Sequence, residues 1–483
     1  MENSPNEELL NDTEFLSFKY KLDGELGEGT YGKVYKAINN TTNQKVAIKK
    51  LKFDGFLNND ESSVRHLKKI LREIYILKLL DHDCIVKLID IVLEKLDSKL
   101  KKIFLVFEML DTDLFKVLKY NNKISVETSI FIFIQILIGI SYLHSNNILH
   151  RDLKSGNILF DRTTNKIKIC DFGFARSVEY ENLNNNKKSN NKKNIKVKEY
   201  NITDLNLKEN SQEISTNNNL DISLKEPSKK EIDDFFTKSI DSKLKISEDH
   251  NCNSEYQISK IDTNNGKKII SKVPLSQYVS TRYYRSPEVI LGQNYGEPMD
   301  IWAVGCIFAE LINLADGKKD FVLFPGLNCF PLSPPDDFDG FTQINGNDQI
   351  DKIFDKIGSP SEKELEFLDV YAKEYVIHRE PKIKQNFSKL FPALEPYPDG
   401  INLLEKILQF NPYKRPSANE CLKHPFIKKF INTFQIEVKD NVVVNQSIFE
   451  FDSKKFESTE EESNYLYNKI LKESEIQTNE SIN

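Results

Sequence analysis

The sequence predicts an α+β protein, and three stretches carry that prediction. Tyr20 to Leu51 alternates apolar and polar residues with the period of two expected of a twisted antiparallel sheet. Val64 to Leu80 sets Leu67, Ile70, Leu71, Ile74 and Leu77 at helical spacing. Ile130 to Ile140 is the most apolar run. Gln135 interrupts it, it is too short to cross a bilayer, and Ser125 stands where the N-cap of a buried helix belongs. At 483 residues and 39% hydrophobic content the chain can bury at least one sizeable core, and on length alone it could hold two or three domains.

A formal charge of −6 leaves no basic surplus, so nucleic acid is not expected as a main partner. The cysteines at 84, 170, 252, 306, 329 and 421 lie far apart with no C-x-x-C pair, which indicates neither a disulfide framework nor a zinc site. A reducing compartment follows, cytoplasmic or nuclear. Met1 to Pro5 lacks an apolar signal core, and Glu2 occupies the place where myristoylation needs glycine, so no export, lipid anchor or membrane partner is expected.

Within the sheet region lies Gly27-Glu28-Gly29-Thr30-Tyr31-Gly32-Lys33-Val34, whose glycines let backbone N–H groups approach phosphate oxygens. A dinucleotide fold would continue into a helix. Here a second strand follows instead, Lys45-Val46-Ala47-Ile48-Lys49. Ile103 to Phe107 reads as a buried strand running into Glu108-Met109-Leu110. The densest chemistry is His150-Arg151-Asp152-Leu153-Lys154-Ser155-Gly156-Asn157, then the strand-like Lys166 to Cys170, then Asp171-Phe172-Gly173. One carboxylate there can accept a hydroxyl proton and a lysine can neutralise a phosphate. An amide and a second carboxylate can hold a divalent cation, which completes a phosphoryl-transfer kit.

In this order and at this spacing the motifs resemble the eukaryotic protein-kinase family, from Tyr20 to about Phe426 outside one insert. The resemblance implies a bilobal fold: a small antiparallel β-sheet lobe with one helix (20–110), a larger mostly helical lobe (111–427), an N-terminal tail (1–19) and a C-terminal extension (428–483). It implies ATP and Mg²⁺ as cofactors. Asp152 would orient a Ser or Thr hydroxyl, Lys154 would steady the γ-phosphate, and Asn157 and Asp171 would ligate Mg²⁺. Lys49 would reach the α and β phosphates with Glu73 as its ion-pair partner. The nucleotide pocket would take in Leu26, Gly27, Glu28, Gly29, Thr30, Tyr31, Gly32, Lys33, Val34, Ala47, Glu108, Leu110 and Leu159, with Phe107 lining its back. Cys170 is expected to be an ordinary buried strand residue.

After Gly173 the chain turns rich in Asn, Lys, Ser and Asp from about 179 to 272, a composition too polar to offset the entropy of ordering. That insert is expected to be disordered, either a solvated spacer or a docking segment. Order returns with Ser276-Gln277-Tyr278-Val279-Ser280-Thr281-Arg282-Tyr283-Tyr284-Arg285-Ser286-Pro287-Glu288, which is similar to the activation lip of mitogen-activated protein kinases. Leu323 to Pro334 and Ile353 to Pro360 are similar to apicomplexan-type members. The likeness implies regulatory phosphorylation on Ser276 and Tyr278, read by Arg72, Arg151 and Arg176 and by Arg282 and Arg285 respectively, by an upstream kinase or by the chain itself. It implies a monomer, protein substrates with Ser-Pro or Thr-Pro sites, and a buried Glu288–Arg415 pair. Ser276 stands for the usual Thr and Tyr283 for the usual Trp. Asn432 and Gln435 stand for the acidic pair that recruits docking peptides. A cyclin-dependent-like kinase and a pseudokinase scaffold are the alternative readings. A helix is expected from Ser463 to Leu471, in a tail that either wraps back onto the small lobe or frays.

Overall fold

Two lobes of unlike construction meet at the strand that ends in Glu108. The computed structural model describes residues 5–29, 32–51, 61–96, 99–120, 123–182, 261–262, 267–270, 280–329, 348–436, 451 and 454–480. In the small lobe, β1 (Tyr20–Gly29), β2 (Gly32–Asn39), β3 (Lys45–Leu51), β4 (Leu88–Leu96) and β5 (Lys99–Glu108) form one antiparallel sheet in the order β1-β2-β3-β5-β4. Strand alternation decides which face each residue serves. Val46 and Ile48 are buried on the outer face, while Ala47, Lys49 and Leu51 belong to the face turned toward the cleft.

Each face of the sheet is covered by helix. On the cleft side lies α2 (Glu61–Leu79), which buries Leu67, Ile70, Leu71, Ile74 and Leu77 as the helical spacing requires. On the outer side lies α1 (Pro5–Leu16), within the residues expected to be a tail. Leu16 of α1 joins Tyr20, Tyr35, Val46, Ile48, Phe104 and Val106 in a separate apolar cluster, and Phe15 stacks on Phe104 at 5.9 Å. Burying such side chains stabilises each contact by about 1.5–3 kcal/mol, so α1 is a structural member of the lobe.

The large lobe begins with β6 (Thr112–Asp113) and α3 (Leu114–Tyr120), and is built around α4 (Val126–Ser145). Ser125 caps α4 as expected, its side chain accepting from the Thr128 N–H at 3.0 Å. β7 (Ile148–Leu149), β8 (Ile158–Phe160), β9 (Ile167–Ile169) and β10 (Arg176–Ser177) frame the loops that follow. Next come β11 (Glu179–Asn182), β12 (Ile261–Asp262) and β13 (Lys267–Ile270), with β13 pairing to both of the others. Short strands thus lie near both ends of the expected insert, and its residues 183–260, 263–266 and 271–272 lie outside the described residues.

The core partner of α4 is α5 (Glu297–Ala315), and Phe133 stacks on Phe308 between them at 3.9 Å. Both helices are long and apolar enough to cross a membrane, yet 78% and 94% of their most apolar windows are buried inside the lobe. α6 (Gln349–Ile357), α7 (Pro398–Ile407) and α8 (Pro425–Phe434) are among the further helices of the lobe. The last helix, α9 (Thr459–Glu480), extends well beyond the expected Ser463–Leu471 and returns to the small lobe. There Leu466 and Ile470 are fully buried, Lys78 of α2 bridges Glu473 at 2.8 Å, and Phe451 lies 5.5 Å from the Tyr75 ring.

Candidate active site

The site begins with one strand residue. Lys49 projects from β3 into the cleft, where its Nζ lies 2.7 Å from Glu73 Oε1 and 3.2 Å from Asp171 Oδ1. Three segments distant in sequence thus meet at one ammonium, and the expected Lys49–Glu73 pair is formed. Burial alone would lower the Lys49 ammonium, but the charges of Glu73 and Asp171 outweigh it and hold its pKa above the ordinary lysine range. Burial alone would raise the Asp171 carboxyl, and Lys49 outweighs that too, holding it below the usual carboxylate range. At pH 7 Lys49 and Asp171 are therefore both charged.

The second half of the site is the loop between β7 and β8. Asp152 Oδ2 accepts from Lys154 Nζ at 2.8 Å, and Asn157 Nδ2 donates to the Asp152 carbonyl at 2.8 Å. Thr281 of the lip donates its hydroxyl to Asp152 Oδ1 at 3.0 Å and accepts from Lys154 at 3.0 Å. An alcohol is thus held between the carboxylate and the lysine assigned to hydroxyl and phosphate. The loop is fixed from below by Asp300 of α5, a fully buried carboxylate that accepts from the backbone N–H groups of His150 and Arg151, both at 2.9 Å, and bonds the His144 ring at 3.0 Å. Those bonds support a left-handed backbone at Arg151, φ 68°, and Asp171 is likewise left-handed at φ 65°.

The nucleotide-side residues follow the strands. Leu26 and Gly27 lie near the end of β1, whose last residues, Glu28 and Gly29, pair in register with Lys33 and Gly32. Thr30 and Tyr31, at the tip, lie outside the described residues. Gly32 cannot be replaced: its φ is +138° and a Cβ there would lie 1.8 Å from the Lys50 carbonyl oxygen. Val34 pairs with Lys49, and Ala47 with Phe107. Val34, Ala47, Phe107, Leu110 and Leu159 are all half-buried apolar side chains. Glu108 accepts from the Lys87 N–H at 2.7 Å and from Lys168 of β9 at 2.9 Å, tying the inter-lobe strand to the strand before Asp171.

Two sequence-assigned donors fit a hard divalent cation. Asn157 spends its amide N–H₂ on Asp152, which leaves a carbonyl oxygen as donor, and Lys49 engages only Oδ1 of Asp171. Among the described residues no cluster of three His, Cys, Asp or Glu could cage a metal alone. An oxygen pair of this kind suits an ion that takes its remaining ligands from phosphate and water, as Mg²⁺ does.

On the lip side, Arg151 is buried and donates to the Phe174 carbonyl at 2.7 Å and to the Tyr295 hydroxyl at 2.8 Å. Arg72 is buried on α2, and Arg176 donates to the Ala175 carbonyl at 3.3 Å. Arg282 bonds the Leu327 carbonyl, and Arg285 the Ser280 carbonyl at 3.0 Å. Ser276 and Tyr278 lie outside the described residues, as do the insert's interior and most of 437–453. Glu288 and Arg415 form the expected pair, two bonds of 2.8 Å with both side chains fully buried beside Trp302. Cys170, expected as a buried strand residue, instead follows the end of β9 and is half-buried, and burial pushes its thiol up.

Sequence reasoning missed several supports. Asp300 is one of them, although an acid set among the apolar residues of a helix signals a buried polar role. Glu310 on α5 is fully buried, accepts from the Tyr284 hydroxyl at 2.8 Å, and has its carboxyl pushed by burial up to about 8. Tyr284 also bonds Ser155 at 2.9 Å, linking lip to catalytic loop.

A family model described as a protein kinase domain matches residues 20–219 and 252–319. The chain is similar to mitogen-activated protein kinase 10 of Arabidopsis thaliana, 30% identical over 417 residues, which cover 86% of this chain and 75% of that relative. It is equally similar to mitogen-activated protein kinase homolog NTF3 of Nicotiana tabacum, 30% identical over 414 residues, covering 85% and 78%. Mitogen-activated protein kinase 6 of Arabidopsis thaliana matches at 30% over 403 residues, covering 83% and 71%.

Proposed function

Since this chain belongs to the protein kinase family and, within it, to the mitogen-activated protein kinases, we propose that it is a lip-activated, proline-directed kinase acting in a signalling cascade. It is a protein serine/threonine kinase; the family implies ATP and a divalent metal, typically Mg²⁺. The observation that carries the reading is the convergence of Lys49, Glu73 and Asp171 on one side of the cleft and Asp152, Lys154 and Asn157 on the other.

Lys49 binds the α and β phosphates, and Glu73 keeps it aimed. Asn157 and Asp171 hold the metal, which when bound neutralises charge on the phosphates. Asp152 orients the acceptor hydroxyl and takes its proton, and Lys154 steadies the transferred group from beside it. Such a transfer needs position and charge more than covalent help, and these side chains supply both.

Control and specificity rest on the lip. Phosphate on Ser276 and Tyr278 gains charge-assisted bonds from Arg72, Arg151, Arg176, Arg282 and Arg285, and Arg282 shapes the pocket for proline after the acceptor. Substrates are proteins with Ser-Pro or Thr-Pro sites, and the chain acts as a monomer. α9 covers α2 with its own apolar face, which favours this reading over one in which a cyclin-like subunit docks there. The cysteines at 84, 170, 306, 329 and 421 are unpaired thiols, in keeping with the cytoplasm or nucleus. Steady-state assays on the Ser276→Ala, Tyr278→Phe double variant with paired Ser-Pro and Ser-Ala peptides test the proposal. Near-complete loss of activity and preference for Ser-Pro are expected; full activity of the double variant refutes lip control, and equal use of both peptides refutes proline direction.

A further inference from the structure

A second polar cluster sits on the face of the small-lobe sheet turned away from the cleft. Asp12 of α1 is fully buried, and groups from three strands close on its carboxylate. Lys50 Nζ lies 2.7 Å and the Tyr35 hydroxyl 3.0 Å from Oδ2, and Lys102 Nζ lies 2.8 Å from Oδ1. Tyr35 belongs to β2, Lys50 to β3 and Lys102 to β5. Lys102 also reaches Glu94 of β4 at 2.9 Å, which extends the tie to a fourth strand. A carboxylate removed from water in this way is retained only when its charge is answered, and two ammonium groups and a hydroxyl answer it here.

The placement relative to the cleft is what gives the cluster a role. Lys50 follows Lys49 directly, so one β3 backbone sends Lys49 inward to Glu73 and Asp171 and Lys50 outward to Asp12. β2 pairs with β3 at Val34↔Lys49 and Lys33↔Lys50, and its first residue, Gly32, closes the glycine turn. β5 pairs with β3 at Lys49↔Leu105 and ends at Glu108. The three strands gathered on Asp12 are therefore the ones that carry the glycine turn, the cleft lysine and the inter-lobe segment. Apolar contacts alone would let a twisted sheet shear slightly, whereas one carboxylate bonded to three strands opposes it.

We propose that Asp12 is a positioning residue for phosphoryl transfer: from the far face of the sheet it holds β2, β3 and β5 in the register that aims Lys49 and the glycine turn at the nucleotide. The N-terminal helix is thereby part of the nucleotide site. This inference rests on the phosphate-binding role given to Lys49 above.

The test uses the full chain with Asp12→Asn, beside Glu14→Gln on the exposed side of α1 as a control. KM for ATP, KM for a Ser-Pro peptide, kcat and thermal midpoint are measured together. Asp12→Asn is expected to raise KM for ATP roughly tenfold and to leave peptide KM unchanged, and Glu14→Gln to change neither value. A folded Asp12→Asn protein whose KM for ATP is unchanged, or whose two KM values rise alike, overturns the inference whatever its midpoint. Should Asp12→Asn not fold, Lys102→Met, which leaves Lys50 and Tyr35 on the carboxylate, decides by the same criterion with a rise of roughly threefold expected. Lys49→Met separates the two readings: if it retains activity the reading of the cleft fails, and if it abolishes activity while Asp12→Asn changes nothing, only the present inference fails.

Discussion

The two walls of the cleft are held in different ways. The Asp152 wall hangs by backbone N–H groups from a carboxylate on α5, a helix whose apolar windows are almost wholly inside the lobe. The Lys49 wall is assembled from side-chain ion pairs between separate elements, with α2 backed by α9 and the sheet backed by α1. Backbone bonds to a core helix survive small displacements of surface elements, whereas an ion pair between β3 and α2 is lost when either shifts by a few ångströms. The comparison teaches that the hydroxyl-handling wall is fixed by its backbone, whereas the phosphate-handling wall depends on how separate elements are set against one another.

The largest effect should come from attacking the backbone-fixed wall. Asp300→Ala strands two buried N–H groups and the His144 ring, and is expected to cost about 3–5 kcal/mol of stability in a denaturant titration. A cost below about 1 kcal/mol would break the contrast, since surface pairs already give that much. On the assembled wall, Leu466→Ala in α9 removes a fully buried contact on α2 and should cost about 2–3 kcal/mol while weakening ATP binding. Calorimetry with the nucleotide sharpens the comparison, because the Asp152 side should keep its affinity for peptide.

A third effect is one of pH. Glu310 titrates at about 8 in the fold against an ordinary glutamate value of 4.5. A raised carboxyl means that the folded state binds the extra proton, so its contribution is most favourable below about 4.5 and is lost as pH rises toward about 8. Wild-type stability relative to Glu310→Gln is therefore expected to fall by up to ~1.4 kcal/mol per pH unit across that window. Thermal midpoints of the two proteins at pH 5 and pH 8.5 measure it, and parallel curves would show that Glu310 does not link the lip to the core as a neutral acid.

Much of the phosphate chemistry was legible because it is local in sequence: Asp152, Lys154 and Asn157 share one loop, and Lys49 lies in a strand with plain alternation. The helices around Glu73 and after Ser125 announced themselves by spacing and cap. α1 did not, since it has no strong apolar stripe, and the partners of Asp12 lie 23, 38 and 90 residues away. Asp300 was hidden for a related reason. Its bonds run 149 and 150 residues back to backbone atoms, which carry no signature in a sequence. What sequence shows least well is which distant polar groups share one buried site.

The most direct measurement is phosphate transfer from ATP to a Ser-Pro peptide by the lip-phosphorylated chain, run beside Asp152→Asn. The account predicts transfer by the wild type and a loss of roughly 10²–10⁴-fold in kcat in the variant, with nucleotide binding retained. Equal turnover by the two proteins would contradict it.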